Sequence, residues 1–235
     1  MSRAVERGTS APSAPVKGRD RWAGPMLALV LAAAGMIPSA PLRAENFAPD
    51  WSREKGVVLG LQLQTDLIGA EDPSEESPPD QIFVEEAGHG GLVHLGYTFT
   101  PRVCVRLAMG GAFHGTTIEG VEVSHSSATL EIHYRFLPGE RARPYLFGGI
   151  GGATLEYRSG DFQSEVTGGV AVLGAGFLYH VTRHLLVDVA ARLDSINWNE
   201  IRVRRRLGGI WTEISDPVDD AGSAGKVLLG MSWQF

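Results

Sequence analysis

From Val57 onward the chain alternates with a period of two. Leu59, Leu61, Leu63, Thr65 and Leu67 share one side of an extended segment, and Gly60, Gln62, Gln64 and Asp66 share the other. This alternation fits a strand and no helix. It returns at residues 91–99, 103–113, 127–136, 144–157, 169–179, 185–195 and 225–235. Each run is near the ~9–11 residues that a tilted strand needs to cross a bilayer. Eight such runs predict an all-β fold, an eight-stranded antiparallel up-and-down transmembrane β-barrel. An even strand number brings both ends of the barrel chain to one side.

The joins between the runs fall into two kinds. Residues 100–102, 137–143 and 180–184 are short, whereas the other joins are longer, with 68–90 and 196–224 the longest. Such an alternation predicts periplasmic turns on one end and external loops on the other. Aromatic placement points the same way. Tyr97 and Phe99, Tyr134 and Phe136, Tyr145 and Phe147, Phe177 and Tyr179, and Trp233 and Phe235 are i,i+2 pairs beside a short join or the C-terminus. Spacing of two puts both rings of a pair on one face, which predicts an aromatic girdle at the inner membrane interface. Phe113, Tyr157 and Trp198 or Trp211 are the candidates for a sparser outer girdle.

The face opposite the aromatics is strongly polar. It collects Asp66, Arg106, Glu131, His133, Arg135, Glu156, Asp188, Arg192, Asp194 and Lys226, together with Gln62, Gln64, His94 and Ser127. Ionised groups inside a barrel must be paired or hydrated, because an isolated buried charge costs several kcal/mol. The spacing predicts ion-pair ladders, with Asp188 near Arg192 and Glu131 near Arg106 or Arg135. Eight strands enclose an interior that side chains can fill, so a plugged lumen is expected. Val170, Val172, Leu178 and Leu186 are inward apolar positions. They serve either for packing or for a narrow path for small apolar molecules.

The first 44 residues read as an address. Arg3, Arg7, Lys17, Arg19 and Arg21 precede an apolar run from Gly24 to Ile37, and Leu42-Arg43-Ala44 offers a cleavage site. This is the layout of a secretory signal peptide. The expected organisation is a signal peptide at 1–44, a periplasmic N-terminal segment at 45–56 and the barrel domain at 57–235. Residues 1–44 hold six Lys or Arg against two Asp or Glu, so removing them takes the formal net charge from −6 to −10. A chain that acidic makes nucleic acid an unfavoured partner. Cys104 is the single cysteine, which excludes an internal disulfide and a cysteine metal cluster. The 30 glycines suit strands that approach closely and bend.

The final strand ends in Gly230-x-x-Trp233-x-Phe235. This resembles the C-terminal signal of bacterial outer-membrane β-barrels, with Leu228 standing where that signal usually has a polar residue. The resemblance implies that the outer-membrane insertion machinery reads Gly230, Trp233 and Phe235. Gly96-Tyr-Thr-Phe-Thr-Pro101, Arg143-Pro-Tyr-Leu-Phe-Gly-Gly-Ile-Gly151 and Gly174-Ala-Gly-Phe-Leu-Tyr179 are similar to strand and turn patterns of small barrels of the OmpA, OmpX, OmpW and opacity-protein type. The implied location is the bacterial outer membrane, with N- and C-termini in the periplasm. The implied roles are anchoring the envelope, contacting surfaces, or passing small apolar molecules, none with a cofactor.

Three constellations are candidates for chemistry. Residues 71–86 hold seven acids and no Lys or Arg, without the ligand spacing of a calcium loop, so no metal site is expected. Arg202, Arg204, Arg205 and Arg206 form a cluster suited to lipopolysaccharide phosphates, or else to internal pairing with Asp216, Asp219 and Asp220. His125, Ser127, Thr129, Glu131 and His133 alternate along one strand, and a His-x-Ser pair beside a carboxylate is similar to the outer-membrane lipid A deacylases. That chemistry needs lipid-facing groups, and the parity turns these residues into the lumen. The expectation is therefore a non-enzymatic barrel with a structural or surface-interaction role. The alternative is a narrow or lateral channel, and the remotest reading is a lipid A-modifying hydrolase.

Overall fold

The structure, a computed structural model, describes residues 55–68, 84–116, 120–207 and 209–235. The expected signal peptide at 1–44, the N-terminal segment up to residue 54 and residues 71–83 of the acidic run lie outside the described residues. Eight strands are present: β1 (Gly56–Ile68), β2 (Val84–Thr100), β3 (Val103–Thr116), β4 (Val121–Arg135), β5 (Ala142–Ser159), β6 (Phe162–His180), β7 (Leu185–Leu207) and β8 (Ile210–Gln234). Each pairs antiparallel with its sequence neighbours, and β1 pairs with β8 to close the barrel. Closure runs from Val58↔Gln234 to Ile68↔Ala224.

Alternation decides which side chains meet which solvent. On β1, Leu59, Leu61 and Leu63 are exposed on the outside, whereas Val58, Gln62, Gln64 and Asp66 are buried inside. The same inversion holds for Leu107 and Met109 against Arg106, and for Leu130 and Ile132 against Glu131 and His133. A folded chain that exposes its leucines and buries its arginines is matched to hydrocarbon around the wall and not to water.

The three short joins are tight. Thr100 Oγ1 accepts from the Val103 N–H at 3.0 Å, and Thr182 Oγ1 accepts from the Leu185 N–H at 2.9 Å. The β4–β5 join turns through Leu137 and Gly139 at positive φ, where glycine is unstrained. At the opposite end the strands continue beyond the expected limits. The expected loop at 196–224 is mostly paired strand, with register from Leu207↔Ile210 down through Trp198↔Asp220. The join between β5 and β6 shrinks likewise to Gly160 and Asp161. Bulges hid this ribbon. Asn199 is the extra residue on β7, since Glu200 and Trp198 pair with the consecutive Thr167 and Gly168 of β6, so β7 reads as two segments of opposite parity.

Four of the five aromatic pairs stand on the outer wall at the short-turn end. Tyr97 and Phe99 meet edge to face at 4.9 Å, and Tyr134 and Phe136 do so at 5.1 Å. Tyr145 and Phe147 depart from the expected girdle: both are buried in the lumen. The wall of β5 is made instead by Leu146 and Ile150. On β5 both faces carry apolar residues, so alternation could not choose between them. Register chooses, because Tyr145 pairs with Arg135 and Phe147 with His133, both inward on β4. Of the outer-girdle candidates, Phe113 faces outward, whereas Tyr157 shares the inner face of Val123 and the Trp198 indole lies over Gly222. Trp211 is exposed near the tip of the β7–β8 ribbon.

Candidate functional site

The lumen carries two charge clusters. Asp188 on β7 is the centre of the first. Its carboxylate accepts from Gln62 Nε2 on β1 at 3.0 Å, from Arg106 NH1 on β3 at 3.4 Å and from the Tyr145 hydroxyl on β5 at 2.5 Å. Three strands are thereby tied to a fourth through one buried side chain. The Tyr145 bond has the short length of a charge-assisted hydrogen bond, and the Arg106 contact is a longer ion pair.

The second cluster runs in a chain. His125 Nδ1 lies 2.7 Å from Asp66 Oδ2, and Lys226 Nζ lies 3.8 Å from that same oxygen and 2.9 Å from Asp194 Oδ2. Arg192 donates through Nε to Asp194 at 2.6 Å and through NH1 to Glu131 at 2.7 Å. Glu131 also takes the Thr129 hydroxyl at 2.9 Å and lies 2.9 Å from His133 Nε2. The imidazole of His133 stacks on Phe147, with ring centroids 4.7 Å apart and planes 5° from parallel. Arg135 is buried at the short-turn end of β4.

These contacts correct two expected pairings. Arg192 turns to Asp194 and Glu131, not to Asp188. Glu131, although in register with Arg106, is held by Arg192, while Arg106 reaches Asp188. Pairing in the narrow tube runs both across the lumen, as from Arg192 to Glu131 and from Arg106 to Asp188, and along one strand, as from Arg192 to Asp194. Glu156 is also corrected. It lies on the outward parity of β5, opposite Ser124, where Arg158 Nε donates to it at 2.7 Å and Gln163 supplies a second bond. Between Gln62, His94, Arg106, Glu131, Tyr145 and Arg192 the remaining void is about 10 Å³, room for one water at most.

The lumen is asymmetric. Val170, Val172, Leu178 and Leu186 all point inward as expected and form one apolar cluster with Tyr145 and Phe147. The polar residues of β1 to β4 face that cluster. In the strand-four constellation, Ser127 Oγ is 3.4 Å from Lys226 Nζ while His125 is bound to Asp66, so the histidine and the serine hold different partners. Among the described residues, no group of three His, Cys, Asp or Glu is placed to hold a metal ion.

The arginine cluster lies on the upper ribbon of β7, paired with both neighbours. Arg202 Nε donates to Glu200 at 2.8 Å, the Ser215 hydroxyl donates to the same carboxylate at 2.6 Å, and Arg204 Nε donates to Glu213 at 2.9 Å. Hydrogen bonds from Arg202 and then Ser215 hold Glu200 below its usual carboxylate range, and Glu200 in turn raises Arg202. Pairing is thus internal, but with Glu200 and Glu213 in place of Asp216, Asp219 and Asp220. Register puts Arg206 opposite Trp211 and Arg205 opposite Thr212. Among the described residues neither Arg205 nor Arg206 has an ion-pair partner.

At the other end, Trp233 is exposed on the outer wall and stacks on His184 at 5.7 Å, and the Phe235 N–H reaches the Val57 carbonyl at 2.9 Å. Gly230 faces inward, where a Cβ would strike the Gln62 side chain. The three residues of the terminal motif therefore have different local roles: Gly230 clears the lumen, and the two aromatics border the lipid.

The outer membrane protein β-barrel domain family matches residues 27–235. None of the curated proteins compared matches the sequence. Among solved structures, the chain is similar to Neisserial surface protein A, with 13% identity and a TM-score of 0.56, covering 77% of this chain and 97% of that one. It is also similar to a major outer membrane protein from Thermus thermophilus, with 13% identity and a TM-score of 0.53, covering 76% of this chain and 99% of that one.

Proposed function

We propose a surface-interaction role for this chain, which belongs to the outer membrane protein β-barrel family, with a lumen closed to ions. The observation that carries the reading is the filled interior. Arg106 is paired with Asp188, and Arg192 and Lys226 are paired with Glu131 and Asp194, and the void left beside Arg106, Glu131 and Arg192 is about 10 Å³. A conducting pore would have to break pairs whose charges are then left buried, at ~3–5 kcal/mol for each partner removed. The chain resides in the bacterial outer membrane with both termini toward the periplasm. The short joins at the C-terminal end and the bordering aromatics support that orientation.

The external rim would then carry the function. Arg205 and Arg206 are the members of the cluster left to meet phosphates of lipopolysaccharide, since Arg202 and Arg204 are balanced by Glu200 and Glu213. Insertion machinery reading Trp233 and Phe235 remains part of the proposal. His125 and Ser127 engage separate partners, which speaks against a His–Ser catalytic pair on β4. The test is conductance of the refolded barrel in a planar bilayer, after gel mobility before and after boiling has shown folding. Silence is expected. Discrete, reproducible channels would replace this reading with transport. One observation favours a second reading: the apolar cluster of Val170, Val172, Leu178 and Leu186 forms one side of the lumen, as a path for small apolar molecules requires.

A further inference from the structure

The short-turn end of the barrel sets cations against the aromatic girdle. Each short turn carries an exposed arginine: Arg102 between β2 and β3, Arg141 between β4 and β5, and Arg183 between β6 and β7. Residues 100–102, 137–143 and 180–184 hold these three and Arg143 against one acid, Glu140, in a chain whose formal net charge is −6. The C-terminal carboxylate of Phe235 is the other exposed anion there among the described residues. On the upper ribbon Arg158, Arg202 and Arg204 each hold a glutamate. Among the described residues the three exposed turn arginines hold none.

Backbone bonds fix the height of these turns. The Arg135 N–H donates to the Arg102 carbonyl at 2.7 Å and the His180 N–H to the Arg141 carbonyl at 2.9 Å. The Gln234 N–H donates to the carbonyl of His184, the neighbour of Arg183, at 2.8 Å. Arg135 stands between Tyr134 and Phe136, His180 follows Tyr179, and Gln234 stands between Trp233 and Phe235. Those five aromatics are exposed on the outer wall, so each turn is tied to a strand at the level of its girdle rings. Such rings sit at the headgroup level of a bilayer, and long basic side chains near it extend to the headgroups. The three arginines are also spread around the barrel, with two strands between one turn and the next. A protein partner covers one side of a barrel, whereas lipid surrounds all of it.

We propose that the short-turn end binds anionic phospholipids of the leaflet it borders. Arg102 holds a headgroup phosphate beside Tyr134 and Phe136, Arg141 one beside Tyr179, and Arg183 one beside Trp233. A guanidinium matches the oxygens of a phosphodiester. A zwitterionic headgroup brings its own ammonium to the same place, so the favoured lipid is one of net negative charge, such as phosphatidylglycerol. That this leaflet is the periplasmic one rests on the orientation proposed above; the binding itself rests on the turns and the girdle.

The chain from Glu45 onward is refolded in vesicles of phosphatidylcholine and phosphatidylglycerol, with brominated acyl chains on one lipid or the other. Quenching of a single tryptophan reads which lipid lies beside it. One form keeps Trp233 and changes Trp51, Trp198 and Trp211 to phenylalanine. A second form also carries Trp233→Phe and Phe136→Trp. Phosphatidylglycerol should be preferred about fivefold at both positions, and the preference should vanish in about 1 M salt. Arg183→Gln should abolish it at Trp233 and leave it at residue 136. Arg102→Gln with Arg141→Gln should do the reverse, and Arg183→Lys should keep it. Equal quenching by the two lipids, or a preference that the glutamine variants leave in place, would overturn the proposal. Both leaflets have one composition, so the result is independent of orientation. A barrel that is silent in the bilayer and shows no lipid preference loses this inference and keeps the reading above.

Discussion

Replacing Asp188 with alanine tests whether the lumen network supports the barrel. Asp188 is fully buried and receives Arg106, Gln62 and Tyr145. Its removal leaves the Arg106 guanidinium beside a void that is about 10 Å³ with the carboxylate in place and grows only by the volume of that group, too little for a hydration shell. Breaking a buried pair by deleting one partner costs ~3–5 kcal/mol. An orphaned hydroxyl or amide costs ~1–3 kcal/mol, partly relieved by repacking into the vacated volume. A net loss of about 4 kcal/mol is reasonable because these contributions overlap. With a urea slope of ~2 kcal/mol/M, the midpoint falls by about 2 M. The assay is urea unfolding of the refolded barrel in vesicles, followed by tryptophan fluorescence and gel mobility. The double variant Arg106→Met with Asp188→Leu should recover most of the loss, since an apolar replacement of both charges is often neutral. A midpoint shift below about 0.5 M for Asp188→Ala would refute the reasoning. It would mean that water reaches Arg106.

Three further outcomes are expected. Gly60→Ala puts a methyl group into the His94 ring and Ser232 Oγ, breaking their 3.1 Å hydrogen bond; thermal unfolding should show ~1–3 kcal/mol of destabilisation, relieved by His94→Ala. Phe235→Ser should lower the amount of folded barrel in the outer membrane, and a normal yield would count against the terminal motif as an assembly signal. Glu200 should titrate below an ordinary glutamate, and Arg202→Gln should raise it, as read by carboxyl ¹³C shifts across acidic pH. Because the folded value is the depressed one, the stabilisation from this group is present above the unfolded value and is lost as pH falls through the folded one.

The strands of the wall were legible because lipid on one side and a polar lumen on the other impose strict alternation, as in Leu59, Leu61 and Leu63 against Gln62 and Asp66. Most inward charges followed from the same parity. Parity failed at Glu156 and at Tyr145 with Phe147, where β5 is apolar on both faces and only pairing to His133 and Arg135 fixes its orientation. It failed again above Trp198, where a bulge reverses the face that successive residues present. Partner identity was less legible still. Which carboxylate meets Arg106 or Arg192 depends on barrel closure and on which side chains cross the lumen, and no strand's own sequence encodes that.

Glycine placement shows how so narrow a tube accepts such large residues. Long inward side chains repeatedly stand in register with a glycine on the next strand: His94 with Gly60, Arg106 with Gly96, Glu131 with Gly149, and Phe147 with Gly174. A Cβ at Gly96 would lie 2.8 Å from Arg106 Cγ, and one at Gly149 would lie 2.9 Å from Glu131 Cγ. Real Cβ atoms do not pack that closely, so each glycine vacates the volume that its neighbour lies down in. The stem of each long residue is pressed against the wall while its charged end extends across the lumen. This explains why Arg106 can reach Asp188 across the lumen although Glu131 is its register partner. Glycine and charge are thus two parts of one arrangement. The Gly60 variant tests the room that a long side chain needs against the wall, and the Asp188 variant tests the pairing that its charged end makes.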